Sequence, residues 1–436
     1  MSIHEFGGER GADLSAHAGR RVPAWAAVAA VCGLSILVKA GLLVALGRWG
    51  TPQVWEYEPI AVHLSRGEGY RSIFLEQPYR SEVQPLYPLL CAAIYRLFGH
   101  HHALVQLVQI VLGVLLCLVA YDLGRRLWSR AAGLGAAGLI AVHPGLAYYA
   151  TANLHVLMLD ALLFAAAVWA LIRVEARPST GRAVTAGGLI GLALLSRASV
   201  LAFVPFGFIW LLWRLRDRLD WRRLIARLAV MAATAALMVA PWLIRNDRLH
   251  GRPFYFLSTV GSGLWTGNNP HASGSTLTPD GRPILSTAPP AFLERLYQLP
   301  EAEQDAMFYR EARAFITAHP DQAARLYLRK LIAFWWFSPQ SGLWYPKRWL
   351  VMYQWMYTAM VLLAVAGFVA VWRRGPRGLV IVLPVFALAI SLCQSLYYVE
   401  GRHRWEVEAL MLVLAGIGLV EVGRWSLTGA VPAPQP

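Results

Sequence analysis

Seven mainly apolar stretches, each long enough to cross a lipid bilayer, constrain the fold of this chain more than any other feature. An α-helix rises about 1.5 Å per residue and the hydrocarbon core is about 30 Å thick, so about 20 apolar residues span it. The stretches lie at 25–47, 103–123, 154–173, 225–243, 351–372, 379–397 and 407–423. Three shorter ones, which adjoin arginines and fit thin or tilted spans, lie at 131–142, 184–197 and 200–213. We therefore predict an all-α polytopic membrane protein with about ten transmembrane helices.

The charge pattern identifies the surroundings of the chain. A net charge of +15 would suggest nucleic-acid binding if it were gathered on one soluble face. The arginines lie instead in short runs between apolar stretches, as at 125–126, 214–227 and 373–374. Loops rich in arginine stay in the cytoplasm when a membrane protein inserts. We predict that the chain contacts membrane lipids and no nucleic acid.

The same arginine pattern fixes an orientation with the first residues inside the cell. From it we predict a cytoplasmic tail at 1–24, followed by a transmembrane catalytic core at 25–243 that includes an outer loop at 48–102. An extracytoplasmic loop domain at 244–350, C-terminal transmembrane helices at 351–424 and a cytoplasmic tail at 425–436 complete the predicted layout. Arginine greatly outnumbers lysine, which occurs only at positions 39, 330 and 347. We therefore expect a bacterial inner membrane, with the active site facing the periplasm or the cell exterior.

Both outer segments show helical spacing of apolar residues. In the first, this spacing predicts helices along the membrane face. The second has a stretch rich in Gly, Ser and Asn at 261–276, then amphipathic helices predicted at about 291–318 and 320–337. The four cysteines have no metal-ligand spacing and three lie in apolar runs, so we expect neither a disulfide framework nor a cysteine-based zinc site.

Two carboxylates stand directly after the first apolar stretch, in Trp55-Glu56-Tyr57-Glu58. Acids this close to the outer membrane surface are unusual, although most exposed acids are ordinary surface charges. On a helix the side chains of Glu56 and Glu58 would point about 200° apart, so only one of them would face a cavity. The residues alone leave open which one this is.

Further motifs follow in a fixed order. They are Ile60-Ala61, Gly67-Glu68-Gly69-Tyr70, Pro85-Leu86-Tyr87-Pro88, Tyr121-Asp122-Leu123-Gly124-Arg125-Arg126, His143-Pro144, Ala240-Pro241-Trp242, Gly267-Asn268-Asn269-Pro270, His319-Pro320 and Arg402-His403-Arg404. Together with the hydropathy profile, this order resembles the membrane glycosyltransferases of the dolichyl-phosphate-mannose protein mannosyltransferase type, which include aminoarabinose-transferase-like enzymes and share the C-type glycosyltransferase fold. The resemblance covers residues 25–424.

The resemblance implies an inverting glycosyltransferase that takes a sugar from a polyprenyl-phosphate donor and gives it to a lipid, glycan or protein acceptor on the outer face. In this family an acid of the first outer loop acts on the acceptor, and the register before Tyr57 assigns that role to Glu56. A carboxylate that accepts the acceptor's proton contributes typically about 10²–10⁴ in rate. This chain has Glu where the family usually has Asp, and Glu58 is the competing candidate.

A second acid of the family, in the second outer loop, has no counterpart at 145–155, where Asn153 and His155 are the polar candidates. Asp160 lies about 10 Å deeper, where an acid usually faces a cavity or makes a buried hydrogen bond. Divalent metal ions such as Mg²⁺ prefer several oxygen ligands. Without the second acid, we predict a metal-independent mechanism that needs no cofactor.

Cations close to the predicted outer surface are candidates for binding the lipid phosphate, because arginine offers paired donors to phosphate oxygens. They are Arg71, Arg80, Arg197, Arg245, Lys330, Arg402 and Arg404, and Tyr57 joins them as a substrate-binding candidate. Each cation alone is equally well explained by interfacial packing of its apolar stem. Arg402 and Arg404 either converge on one anion from an irregular turn, or form a local salt-bridge cluster with nearby glutamates.

A transporter or flippase of a lipid-linked substrate is the alternative function, since it also needs many spans and intramembrane charges. Such proteins often contain inverted repeats, and none is evident in the sequence. A predicted outer loop at 244–350 is also longer than transport requires. The remaining alternative is a scaffold that keeps the fold without catalysis.

Overall fold

A computed structural model describes residues 23–253 and 255–428. The chain is mainly helical over these residues, as predicted. Most of the predicted tail at 1–24, and residues 429–436 of the predicted tail at 425–436, lie outside the described residues.

The first half of the chain forms ten α-helices in the described residues: α1 Ala24–Leu46, α2 Tyr57–Ser65, α3 Leu86–Phe98, α4 His102–Leu127, α5 Arg130–Ala141, α6 Pro144–Thr151, α7 Leu157–Ala176, α8 Thr180–Ser196, α9 Val204–Leu215 and α10 Trp221–His250. The second half forms nine: α11 Val260–Gly267, α12 Pro290–Tyr297, α13 Glu301–Ala318, α14 Pro320–Trp335, α15 Ser341–Trp344, α16 Lys347–Arg374, α17 Arg377–Val380, α18 Val382–Gln394 and α19 Trp405–Thr428. Three short 3₁₀-helices lie at Ala198–Ala202, Ile284–Thr287 and Gly401–Arg404.

Seven helical segments within the described ranges are long and apolar enough to cross a membrane, and an eighth exists if the bent pair of α5 and α6 counts as one span. The two helices of that pair meet at 50°, at His143-Pro144. The predicted stretches at 184–197 and 407–423 fall within α8 and α19, which are not among the seven. The polytopic architecture is therefore present, whereas about ten remains a predicted count.

Helix α7 forms the centre of the bundle, because nearly all of its side chains are buried. Helices α16 and α19 pack beside each other with backbones in direct contact. A Cβ atom on Gly367 would lie 2.0 Å from the Leu414 carbonyl oxygen, and one on Gly418 would lie 2.0 Å from that of Leu363. Small residues allow this close approach, which is how helices associate where lipid removes the hydrophobic driving force.

Four short strands interrupt the predicted all-helical pattern of the described residues. Strand β1 (Gln53–Val54) pairs in parallel with β4 (Asn153–Leu154), and β2 (Ser72–Phe74) forms a hairpin with β3 (Gln77–Tyr79). The hairpin turn has positive φ at two non-glycine residues, Leu75 and Glu76. Because Gly and Asn usually mark such turns, the sequence carried no signal for it.

The helices at the start of the predicted loop domain differ in their bounds from the sequence-based expectation, and the domain boundaries themselves stay a prediction. Helix α10 runs on to His250, seven residues past the predicted boundary at 243, with Pro241 inside it. The single helix predicted at 291–318 is wrong: α12 ends at Tyr297, and α13 begins after Pro300. Pro300 has no backbone N–H, so a helix cannot run through it with its hydrogen bonds intact.

The long loops meet at one end of the bundle, which we call the loop end. The β1–β4 pair joins the segment after α1 to the segment after α6. The backbone N–H of Val399 donates to the carbonyl of Gly274 across 2.8 Å, which joins the turn after α18 to the loop domain. Segments from four distant parts of the sequence therefore lie together at this end.

Candidate active site

A small pocket, partly open to solvent, lies at the loop end. Four chain segments form it: the segment of β1, α6 with β4, α15, and the turn that precedes α19. The lining residues are Gln53, Trp55, Tyr148, Tyr149, Asn153, Ser341, Tyr345, Glu400, Gly401 and Arg402. Aromatic rings, a carboxylate and a guanidinium thus face one space.

The pairing of β1 with β4 sets the base of this pocket, with Gln53 opposite Asn153. The indole N–H of Trp55 donates to the side-chain oxygen of Asn153 at 3.1 Å. The guanidinium of Arg402 lies over the Trp55 ring, 5.2 Å from its centre. A cation over the face of Trp is attracted to its negative π surface. Arg402 is therefore positioned in the pocket by an aromatic contact.

Glu56 stands immediately after Trp55, at the N-cap position of α2. Burial raises the pKa of its carboxyl, and the positive charge of Arg402 opposes this rise. A carboxylate with a raised pKa is a stronger base than a solvated one. Glu56 is not among the residues that line the pocket, and its role as the catalytic acid of the first outer loop stays a prediction.

His155 and Tyr57 form an aromatic cluster behind the pocket. The His155 ring packs edge-on against Trp55 at 5.5 Å, Tyr57 at 5.4 Å and Tyr149 at 5.1 Å. Burial lowers the pKa of His155 well below its usual value. Its Nδ1 accepts the backbone N–H of Leu157 at 3.1 Å, so the neutral ring carries its proton on Nε2. His155 is therefore a neutral donor rather than a cation.

Asp160 lies below this cluster in a buried ionic group. Arg197 reaches its carboxylate at 3.1 Å and that of Glu406 at 3.2 Å. The Ser196 hydroxyl also donates to Asp160, at 2.5 Å. The group connects α7, the end of α8 and α19, and two of the predicted candidates, Asp160 and Arg197, are partners in it.

Arg404 is separated from Arg402, although the sequence allowed the two to converge on one anion. Arg404 is buried, forms an ion pair with Glu408 and donates to the carbonyls of Phe334 at 3.3 Å and Trp336 at 3.2 Å. The turn is a 3₁₀-helix, which rotates by about 120° per residue, so two side chains that are two residues apart point in different directions. Arg404 therefore forms the local salt bridge that was the alternative prediction. Arg402 is the arginine that lines the pocket.

Lys330 is also held by the protein itself. Its ammonium donates to the carbonyl of Gly267 at 3.0 Å, the side chain of Asn268 at 3.0 Å and the carbonyl of Leu396 at 3.3 Å. Burial lowers the pKa of Lys330 to about 7. These three bonds use all of its donors, so Lys330 joins the loop domain to the turn after α18.

The remaining predicted cations do not line the pocket. Arg71 is exposed and pairs with Glu68 at 2.6 Å. The guanidinium of Arg245 lies over the ring of Trp242 at 4.7 Å. The side chain of Arg80 is exposed, and its backbone N–H is bound by the loop domain.

Glu82 is a candidate functional residue that was not predicted from the sequence. It is 7% exposed, and its Oε2 atom has no hydrogen-bond partner among the described residues. Burial, together with the negative charges of Glu56 and Glu301, raises its pKa to about 7. The sequence offered no sign of this, because Glu82 lies in an irregular segment between β3 and α3 with no helical or strand periodicity.

The second carboxylate of the first motif, Glu58, faces away toward the turn between α3 and α4. Its Oε1 lies 2.6 Å from Nε2 of His100 and 3.3 Å from Nε2 of His102. Neither Glu56 nor Glu58 is among the residues that line the pocket, so the expectation that one of them faces the cavity stays a prediction. From the sequence, the cysteines were assessed as metal ligands, and these histidines were not predicted to be ligands.

Comparison with known proteins adds to these findings. Residues 78–244 match the family model described as dolichyl-phosphate-mannose-protein mannosyltransferase. No curated protein sequence matches the chain.

Several solved structures share its fold. The archaeal oligosaccharyltransferase AglB from Archaeoglobus fulgidus, in complex with an inhibitory peptide and a dolichol-phosphate, superimposes with a TM-score of 0.54 at 14% identity, covering 94% of this chain and 52% of that one. The Archaeoglobus fulgidus oligosaccharyltransferase tethered with an acceptor peptide gives 0.53 at 16% identity, covering 93% and 50%. The chain thus spans about half the length of these proteins.

ArnT from Cupriavidus metallidurans bound to undecaprenyl phosphate matches with a TM-score of 0.42 at 15% identity, covering 92% of this chain and 77% of that one, too weakly to support a conclusion. The family match and the stronger structural matches confirm the resemblance seen in the sequence. The chain has the fold of the C-type membrane glycosyltransferases, and its residues 78–244 are similar to the dolichyl-phosphate-mannose-protein mannosyltransferase family.

Proposed function

We propose that this protein is a glycosyltransferase that moves a sugar from a polyprenyl-phosphate donor to a lipid, glycan or protein acceptor at the outer face of a bacterial inner membrane. The observation that carries the proposal is the pocket at the loop end, where the Arg402 guanidinium lies over the ring of Trp55. Glu56 directly follows Trp55, and against the rise caused by burial, the positive charge of Arg402 lowers the pKa of its carboxyl. A cation beside a carboxylate meets the two needs of the reaction, a phosphate binder and a base. One of the similar oligosaccharyltransferase structures is in complex with a dolichol-phosphate and another is tethered with an acceptor peptide, which agrees with this pair of substrates.

In the proposed reaction, Glu56 accepts a proton from the acceptor as the acceptor's oxygen or nitrogen attacks the anomeric carbon. The bond from that carbon to the phosphate oxygen breaks, and its electron pair stays on the departing polyprenyl phosphate. A single displacement of this kind inverts the configuration of the sugar. Arg402 donates hydrogen bonds to the departing phosphate as negative charge develops on it.

The neighbouring residues would keep this pair in position. Trp55 supports Arg402 from below and is itself fixed by Asn153. Behind them, Arg197 joins α7 to α19 through two buried carboxylates. Rigid support matters because a displacement of about 1 Å from the productive geometry can cost on the order of 10²-fold in rate.

The test is a transfer assay with purified protein in detergent and a panel of polyprenyl-phosphate sugars, in which release of polyprenyl phosphate is measured. The wild type should release it from at least one donor, and Glu56→Gln should reduce the rate by about 10²-fold or more, the scale of losing a general base. Glu303→Gln, an exposed acid of α13, is the matched control and should leave the rate unchanged. Movement of a lipid-linked substrate across vesicles by protein that releases no phosphate would instead establish the transporter alternative.

A pH profile gives a second readout. Burial raises the pKa of Glu56, so turnover should begin to fall at a pH above the usual glutamate value of about 4.3 as the solution is acidified. The acid limb should be absent from the residual rate of Glu56→Gln. A limb that persists in this variant would assign the titrating group to another residue.

A further inference from the structure

We propose that Glu58, His100 and His102 form a binding site for a divalent transition-metal ion such as Zn²⁺, next to the pocket but separate from its chemistry. The three side chains come from the start of α2 and from the turn between α3 and α4. This proposal does not depend on the proposed function, because metal binding is measured directly.

The geometry of the group supports the site. One ligand atom from each residue lies within 4.8 Å of the others. The Glu58 oxygen is 3.3 Å from His102 Nε2 and 2.6 Å from His100 Nε2. Around a tetrahedral ion with bonds of about 2.1 Å, ligand atoms are separated by roughly 3.4 Å. The distance from Glu58 to His102 already has this value, and the exposed His100 ring would have to move outward by about 0.8 Å to reach it from Glu58.

The chemistry of the donors also fits. Two imidazoles and one carboxylate are a common ligand set for zinc, with water at a fourth position. The Glu58 side chain is 12% exposed, those of His102 and His100 are 25% and 48% exposed, and an ion could therefore enter from solvent and keep a water ligand. Without a metal, the same contacts are hydrogen bonds between a carboxylate and two rings, which is the plain alternative that an experiment must exclude.

Tyr95 provides a second, independent observation. Its ring packs edge-on against His100 with centres 4.6 Å apart and lies 6.3 Å from the His102 ring. Its hydroxyl is buried and has no hydrogen-bond partner among the described residues. A buried hydroxyl without a partner costs about 1–3 kcal/mol. A metal-bound water beside this ring would give the hydroxyl the partner that the described residues do not provide.

An ion at this position would affect the pocket through the backbone. Glu58 is two residues from Glu56, so a ligand bond to Glu58 would fix the start of α2 against the turn at 99–102. Metal binding would thereby restrict the position of the Glu56 carboxyl. In this assignment Glu58 is a metal ligand.

The test uses full-length protein prepared without a polyhistidine tag, stripped with a chelator and titrated with Zn²⁺ in detergent. Bound zinc is counted by elemental analysis after dialysis, and Co²⁺ serves as a spectroscopic probe whose visible absorption reports imidazole and carboxylate ligands. The variants are His100→Ala, His102→Ala and Glu58→Gln. His101→Ala is the matched control, because it lies in the same turn and outside the group.

We expect one ion per chain in the wild type and in His101→Ala. Each ligand variant should raise the Kd at least about tenfold, since loss of even an outer-shell partner typically weakens binding by 10–100-fold. Equal thermal stability of His100→Ala and the wild type without metal would show that the loss is not misfolding. The proposal is overturned if the wild type binds no zinc, or if the ligand variants bind it as tightly as His101→Ala does.

Discussion

The indole N–H of Trp55 and the side-chain oxygen of Asn153 are 3.1 Å apart, although 98 residues separate them in the sequence. This contact continues the parallel pairing of β1 with β4. It places Glu56, the residue after Trp55, close to the segment that contains Asn153 and His155. The candidate site therefore depends on an alignment of two loops rather than on any single motif.

The two arginines of the turn before α19 should respond differently to substitution. Arg402→Ala should lower turnover by about 10²-fold or more, because a preorganised donor to the departing phosphate is lost. Arg402→Lys should restore only part of the rate, since lysine lacks the planar fork of arginine. The measurement is kcat per folded molecule in the transfer assay.

Arg404→Ala should act on stability, because it leaves Glu408 buried without its cation. Breaking a buried ion pair costs about 3–5 kcal/mol, so thermal unfolding in detergent should shift well below that of Arg402→Ala. If Arg404→Ala lowers kcat as strongly as Arg402→Ala at unchanged stability, the assignment of only Arg402 to the phosphate is wrong.

The buried group below the pocket should behave as a unit. Arg197→Gln leaves Asp160 and Glu406 without their cation and should destabilise the protein by about 3–5 kcal/mol. Adding Asp160→Asn should recover part of this loss, because one uncompensated charge is removed. Arg216→Gln, which breaks an exposed pair at 3.4 Å, is the control and should change stability by about 1 kcal/mol or less. Additive effects in the double variant would contradict the shared network.

Glu82 should make stability depend on pH. Its folded pKa is raised to about 7, above the unfolded value of about 4.3, so the folded state binds the proton more tightly. The stabilisation is fully present below about pH 4 and is lost as pH rises through about 7. The melting temperature of the wild type should therefore fall between about pH 5 and pH 8, and Glu82→Gln should flatten this part of the curve. An unchanged slope in the variant would exclude Glu82 as the source.

The predicted orientation can be tested with single cysteines in a background without native ones. Ser286→Cys, exposed in the loop domain, should react with a membrane-impermeant thiol reagent in intact cells, and Ser179→Cys, exposed before α8, should react only after lysis. The opposite labelling would place the loop end, and with it the candidate site, in the cytoplasm.

The local sequence located the long apolar helices, but it did not predict the contacts between helices. Apolar stretches located the long helices because lipid demands continuous apolar surface. The spacing of Arg404 and Glu408 allowed a salt bridge one helical turn apart, and the structure contains it. The β2–β3 hairpin escaped prediction because its turn uses Leu75 and Glu76 in place of the usual turn residues.

The parts of the site that could not be predicted depend on long-range packing. Glu58 and His100 are 42 residues apart and are joined only because α2 packs against α3. Glu82 became notable through burial, which no neighbouring residue in the sequence reveals. The family resemblance supplied Glu56, whereas the residues alone left Glu56 and Glu58 equivalent.

The ionic group of Asp160, Arg197 and Glu406 is completed late in biosynthesis, because its members are translated at different times. Residue 197 is translated about 210 residues before residue 406, and residue 160 about 250 residues before it. Between Arg197 and Glu406 this is an interval of roughly 10–40 s at about 5–20 residues per second. Throughout that interval the growing chain holds one acid and one arginine whose third partner does not yet exist. Arg402 is translated on the same late segment, so the candidate pocket is incomplete in the nascent chain until the turn before α19 is made.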